Sequence, residues 1–366
     1  MIREEGHIGL IEGAVLVYAI LSAKLFISSP GFLIEASGPA AWQAALVMTA
    51  VGLLALLPLG ALVRRFPGQG LFQISEAVGG PFLGGLFTLY VTLWFFANAV
   101  NGVRNFTETY IGTVLPNTPP SVLTATAVAC MVYASYRGLE SICRATQVLL
   151  PVILAGILLV LIFSMPRLQI SRLYPFWGHG LMATAAGGAY YAGLVGEAVI
   201  LLAVGYGFRE VKHVRRAGMI GVTLFGLLTA LTVAVLVMIF GAPDAAQQPF
   251  PLFNLSQLVY LGRFLQRTEA LMVMFWFFNV AVRLSLLFHA SVVSLTGLLK
   301  LPMYRPVIFP MAVLVIALSL LPEDSLVVLR IMRDWLTPAG LGVLLVPAAL
   351  LALALVRGKG GQSHAT

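Results

Sequence analysis

Ten stretches of this sequence, most of them roughly 18–25 residues long, are so dominated by apolar side chains that each is matched to lipid rather than water. A helix rises 1.5 Å per residue, so such a run crosses about 30 Å of hydrocarbon. No water inside a bilayer can satisfy a peptide group, which leaves the helix as the conformation that pairs them all within one segment. The predicted spans are 9–32, 40–63, 82–111, 121–137, 146–165, 180–204, 217–240, 269–297, 306–321 and 336–356. The third and eighth are long enough to tilt or protrude. Composition agrees: 60% of the residues are hydrophobic and 10% charged, and the mean hydropathy is +0.96. A water-soluble domain sits nearer about 45–50% and about 25%. The expectation is an all-α polytopic membrane protein, residues 1–366 forming one integral membrane domain.

The first span does not read as a cleaved leader. It is longer than an h-region, contains Lys24, and runs into Ser28-Ser29-Pro30-Gly31 with no small-x-small site. Orientation follows the loop lysines and arginines. With the N-terminus inside, Arg167, Arg172, Arg263, Arg267, Arg330 and Arg333 fall outside, Lys24, Arg104 and Arg283 are embedded, and all the rest face the cytoplasm. Both termini are therefore predicted inside. The net charge of +8 is a topology signal and not a nucleic-acid footprint.

Cys130 and Cys143 lack metal-ligand spacing, and His7, His179, His213, His289 and His364 form no H-x-x-H pattern. There is no P-loop and no nucleophile elbow. No metal, no cofactor and no catalytic residue is predicted, and the chain is not read as an enzyme.

Chemistry is concentrated in four spans. In span six, Glu197 follows Gly187, Gly188, Gly193 and Gly196, so the helix is weakest where the charge lies. An ionisable group at membrane depth costs about 2.5–3.5 kcal/mol on insertion scales and marks function by default. Tyr190 and Tyr191 precede it. In span one, Ser22, Ala23, Lys24 and Ser28 lead to Pro30, whose ring removes an N–H donor and leaves a carbonyl free. Lys24 either enters a binding site or leans towards the outer interface. Spans one and six lie five apart, as in two five-helix repeats of inverted topology with broken helices at the midplane.

Span three carries Asn98, Asn101, Asn105 and Glu108 on about a quarter of the helix circumference, flanked by Arg104. The asparagines either line a cavity or bridge helices; Arg104 and Glu108 read as an ion pair near the outer end. Span eight carries Asn279, Arg283, Ser285 and His289. A buried guanidinium needs a partner, for which Glu197 is the first candidate and Glu108 the second, as a structural pair or a gate. The segment Leu252–Tyr260 has helical spacing and is either an outer lid or an amphipathic connector.

Several of these pieces together resemble one family. Tyr190, Tyr191, Gly193, Gly196 and Glu197 resemble the sixth helix of the amino acid–polyamine–organocation permeases. Ala40-Ala41-Trp42, Leu115-Pro116-Asn117-Thr118-Pro119, the run Tyr136 to Arg144, Phe250-Pro251 and the run Phe264 to Leu271 resemble, in order, the spore germination permeases, B subunits of nutrient germinant receptors. The resemblance implies a LeuT-like fold of ten helices in a 5+5 inverted repeat, with a central site between broken helices one and six. It also implies a germinant, usually an amino acid or related nutrient, bound beside receptor A and C subunits in the inner spore membrane. Carried over by position, the site involves Ser22 to Lys24 and Tyr190 to Glu197. Lys24 departs from the small residues usual at the first break; it crowds a ligand carboxylate, supplies its counter-charge, or stands in for a cation. The alternatives to a germinant sensor are an autonomous proton-coupled amino-acid transporter and a purely structural membrane subunit.

Overall fold

The structure is a computed structural model that describes residues 8–26, 29–258 and 268–360, with the side chains of 268–271 left aside. Ser28 lies outside the described residues, as do Arg3, His7, Val259, Tyr260, Arg263, Arg267 and His364. Helices dominate: α1 (Leu10–Ser22), α2 (Ser29–Ser37), α3 (Ala41–Arg65), α4 (Leu71–Thr113), α5 (Pro120–Arg137), α6 (Leu139–Phe163), α7 (Leu181–Tyr191), α8 (Ile200–Ala203) and α9 (Val211–Phe240). Then come α10 (Ala242–Ala246), α11 (Pro251–Gln257), α12 (Thr268–Leu298), α13 (Arg305–Ser319), α14 (Ser325–Arg330) and α15 (Thr337–Val356). No strand forms among the described residues beyond a bridge at Ile8, whose N–H donates to the Gly207 carbonyl (3.0 Å) and whose carbonyl accepts from Arg209 N–H (3.0 Å).

Seven helical stretches are long and apolar enough to cross a membrane: 29–65, 71–113, 139–167, 181–203, 211–240, 272–298 and 325–356. Three predicted spans fall short for physical reasons. α1 is cut at Ser22 after 13 residues, α13 has 15, and the 18-residue α5 carries Thr, Ser, Tyr and Arg side chains that lower its hydropathy. Two boundaries also move. α6 begins at Leu139, ahead of the predicted 146, because Gly138 (φ +86°) ends α5 and turns the chain directly into the next helix. α4 begins at Leu71, ahead of the predicted 82, and Gly80 (φ +76°) kinks it before Pro81, since proline cannot donate to the preceding turn.

α3, α9 and α1 pack side by side, α4 lies along α12, and α15 closes against the middle of span six. The interior this creates is not uniformly apolar. Lys24, Arg104, Glu197, Arg283, Asn98, Asn101, Asn279 and His289 are all buried within it. In lipid such residues face protein because no other partner is available.

Candidate functional site

Both charged spans break. After α1, residues Ala23–Phe26 tighten into a 3₁₀ turn before α2 resumes at Ser29. The cause is a side chain from α12. Asn279, its amide oriented to suit its neighbours, donates to the Ala19 carbonyl (3.0 Å) and accepts from Ala23 N–H (3.1 Å) and Ser22 Oγ (3.0 Å). Ala23 N–H and the Ala19 carbonyl are the pair that would bond to each other in a continuous α-helix. Asn279 intercepts that bond and satisfies both halves. Ser29 Oγ donates to the Lys24 carbonyl, and Pro30 offers no N–H to the turn before it.

In span six, α7 passes at Ala192 into eight residues of 3₁₀ helix, Ala192–Val199, before α8. Runs of this kind beyond three or four residues are uncommon and mark a sequence under constraint. The constraint is α15. A Cβ on Gly193 would lie 1.9 Å from the Thr337 carbonyl oxygen, and one on Gly340 would lie 2.2 Å from the Gly193 carbonyl oxygen. Two backbones therefore touch directly. Gly196 meets Gly340 and the Trp94 ring in the same way. α15 itself starts from a π-helical turn, Ile331–Leu336, where Trp94 Nε1–H donates to the Leu336 carbonyl (2.9 Å) and Thr337 Oγ1 to that of Met332 (2.8 Å).

The two breaks meet at one carboxylate. Glu197 Oε1 accepts from Arg283 Nη2 (2.6 Å) and sits 3.0 Å from Lys24 Nζ, while Glu197 Oε2 accepts from Arg283 Nε (3.2 Å). Lys24 Nζ also donates to the Leu194 carbonyl at 2.5 Å, a group the span-six break makes available. The three side chains are 0–6% exposed. Arg283 thus takes Glu197, the first candidate, and not Glu108. It has room because Gly102 on α4 lacks a Cβ; one there would lie 3.0 Å from Arg283 Nη1. Two cations against one anion leave a surplus of one positive charge in a place where desolvation makes charge expensive.

The other expected residues distribute around this junction. Asn98 turns back to donate to the Trp94 carbonyl (2.9 Å), while Asn101 is buried with Oδ1 unpaired among the described residues. Arg104 pairs with Glu108 (2.7 Å) and donates to the Glu323 carbonyl (3.3 Å), remote from Arg283's carboxylate. Tyr191 is buried, stacked on Phe32 with centroids 6.0 Å apart. Tyr190 is partly exposed at the rim and donates to the Arg333 carbonyl (3.3 Å), so it does not join the junction. Above the span-one break lies α11: Phe250 and Phe253 approach Phe26, Thr109 and Trp276, leaving a cavity of about 10 Å³.

Gly102 and Trp94 were not singled out from sequence, and Asn279 was named beside Arg283 but given no role at the break of span one. Asn279 had a signal, since it lies one turn before Arg283 and must share its face. Among the described residues no group of three or more His, Cys, Asp or Glu could hold a metal ion. The arrangement offers charge and backbone polar groups at two helix breaks, and no activated nucleophile.

The fold is that of membrane transporters. It aligns with Mhp1, a nucleobase-cation-symport-1 family transporter in a closed conformation with bromovinylhydantoin bound, at a TM-score of 0.66 and 14% identity, over 96% of this chain and 79% of that one. It aligns with a substrate-bound, outward-open Na⁺-coupled sialic acid symporter at a TM-score of 0.61 and 14% identity, with the same coverage. At such identities the likeness concerns the fold alone. The chain belongs to the spore permease family of spore germination proteins, whose profile matches residues 7–326. It is similar to spore germination protein KB of Bacillus subtilis (strain 168), 24% identical over 321 residues covering 87% of this chain and 85% of that protein. Spore germination protein XB of Bacillus anthracis is 29% identical over 180 residues, 49% of this chain and 50% of that protein. The family and the apolar helices make it an integral membrane protein of permease type.

Proposed function

We propose that this chain senses a small nutrient germinant, an amino acid or a related solute, bound where the breaks of spans one and six meet. Ten helices in two inverted five-helix halves form one permease domain. α1, α5 and α13 complete the seven longer stretches, and both termini face the cytoplasm across the inner spore membrane. Receptor A and C subunits read the change in conformation. The observation that carries this reading is the Lys24–Glu197–Arg283 junction, which ties both breaks to α12 through one carboxylate. A ligand entering there exchanges contacts with that carboxylate and the Leu194 carbonyl, and it shifts the conformational equilibrium by its difference in affinity between the two states.

The test is a thermal-shift screen of amino acids, sugars and nucleosides on the purified chain. A ligand at a hundredfold excess over its Kd stabilises the protein by about 2.7 kcal/mol. Abolition of that shift by Lys24→Met supports the site. Failure of every nutrient, together with normal germination of spores carrying Glu197→Gln, would overturn the proposal. Uptake of the ligand into liposomes by the chain alone, driven by a pH gradient, would replace a sensor by a transporter.

A further inference from the structure

Among the buried side chains of the described residues, three are lysine or arginine, Lys24, Arg104 and Arg283, and one is an acid, Glu197. Arg104 is neutralised by half-buried Glu108 at 2.7 Å. Lys24 and Arg283 share Glu197, so one positive charge at the junction has no acid to answer it. Glu35 and Asp334 do not supply one, because both are exposed at the rim and pair with Arg333.

The hydrogen-bond donors point the same way. A lysine ammonium has three N–H groups and an arginine guanidinium five, set in a fixed fork. Lys24 directs two of its three, at the Leu194 carbonyl and at Glu197 Oε1. Arg283 gives Nε and Nη2 to Glu197, while its Nη1 has no acceptor among the described residues. That Nη1 lies against the bare backbone of Gly102, and the Arg283 side chain keeps 6% of its surface exposed. Charged donors without acceptors are costly inside a membrane protein. Their presence calls for an occupant that brings acceptor oxygens and a negative charge.

We propose that the solute at this junction carries a net negative charge and is held through a carboxylate, an inference that rests on the binding site proposed above. The class is a monocarboxylate without an ammonium group, or an acidic amino acid. Its carboxylate bridges the open N–H of Lys24 and the Nη1 of Arg283, whose planar fork matches two oxygens. Two cations then face two carboxylates, and the buried group becomes neutral, which removes the surplus that desolvation makes expensive. A zwitterion of no net charge leaves that surplus as it was. A halide brings the charge but not the pair of oxygens that the fork fits.

The experiment is thermal unfolding of the purified chain with solutes of matched shape and different charge. Sodium propionate replaces sodium chloride at constant ionic strength, with propionamide as its neutral counterpart, and glutamate is set against glutamine and alanine. Propionate, glutamate or both should raise the melting temperature saturably, by about 5 °C at a hundredfold excess over Kd. The neutral counterparts should bind at least about tenfold more weakly. Lys24→Met should weaken the carboxylates by at least about tenfold and leave the neutral solutes unchanged. The inference is overturned if neither carboxylate gives a saturable rise over chloride, if alanine or an amide matches them, or if Lys24→Met keeps the preference. Lys24-dependent binding of alanine or glutamine would retain the germinant site and reject its anionic ligand. A Lys24-dependent carboxylate shift, in a chain whose Glu197→Gln spores germinate normally, would retain the anion site and reject the germinant role. Should Lys24→Met fail to fold, the contrast between each carboxylate and its amide in the wild type decides the matter.

Discussion

Glu197→Gln and Lys24→Met remove neighbouring charges that are equally buried, yet they should differ sharply. Lys24 Nζ and Arg283 Nη2 lie 3.0 and 2.6 Å from the same Glu197 oxygen, so the two cations are no more than about 5.6 Å apart. At an effective dielectric of about 20, each cation gains about 6 kcal/mol against Glu197, and the cations repel each other by at least about 3 kcal/mol. Glu197→Gln keeps the repulsion and discards both attractions. Breaking a buried pair in this way costs about 3–5 kcal/mol. Lys24→Met loses one attraction and the ammonium's hydrogen bond to the Leu194 carbonyl, which costs about 1.5–3 kcal/mol. It also removes the repulsion and the several kcal/mol needed to dehydrate an ammonium, and it leaves a neutral Glu197–Arg283 pair. Its net cost should be within about 1–2 kcal/mol of zero. With about 2 °C of melting temperature per kcal/mol, Glu197→Gln should melt about 6–10 °C below wild type and Lys24→Met within about 4 °C of it. Fluorescence-detected thermal unfolding of the purified variants measures both. If Lys24→Met is as damaging as Glu197→Gln, the surplus-charge argument is wrong and Lys24 is a structural partner.

Two further outcomes follow from the breaks. Asn279→Ala leaves the Ala19 carbonyl, Ala23 N–H and Ser22 Oγ without their shared partner; it should destabilise by about 2–4 kcal/mol and speed amide exchange at residues 22–26, as read by hydrogen exchange. Gly193→Ala places a methyl on the Thr337 carbonyl, so α15 must shift or the chain must melt at least several degrees lower, an effect that Gly205→Ala, with open space around it, should not reproduce.

The charged junction was legible in the sequence because charge in an apolar run cannot stand alone. Arg283 demanded a partner and Glu197 was its first candidate, whereas the pairing of Lys24 with the same carboxylate was not foreseen. Seven of the ten predicted spans were legible from the length of their apolar runs, and the breaks from Pro30 and the glycines before Glu197. What the glycines were for was not. Gly193 and Gly196 read as weak points or ligand contacts, whereas they let α15 approach, and their counterpart Gly340 lies almost 150 residues away where no local pattern connects them. Asn279 is equally nonlocal: its role depends on Ala19 and Ala23, which carry no polar side chain to betray it. Tyr190 was assigned by its place in a motif, but helix geometry turns it to the rim, where it meets Arg333.

The contact between Gly193 and Gly340 has a mechanical consequence. Side chains at an interface can change rotamer and yield by degrees, but two bare backbones have nothing to rearrange. They remain seated or they separate. In the proposed sensor, a solute that unseats span six from α15 would trip a discrete latch rather than tune a graded response. An all-or-none response of this kind is what the proposed germinant-sensing role would require.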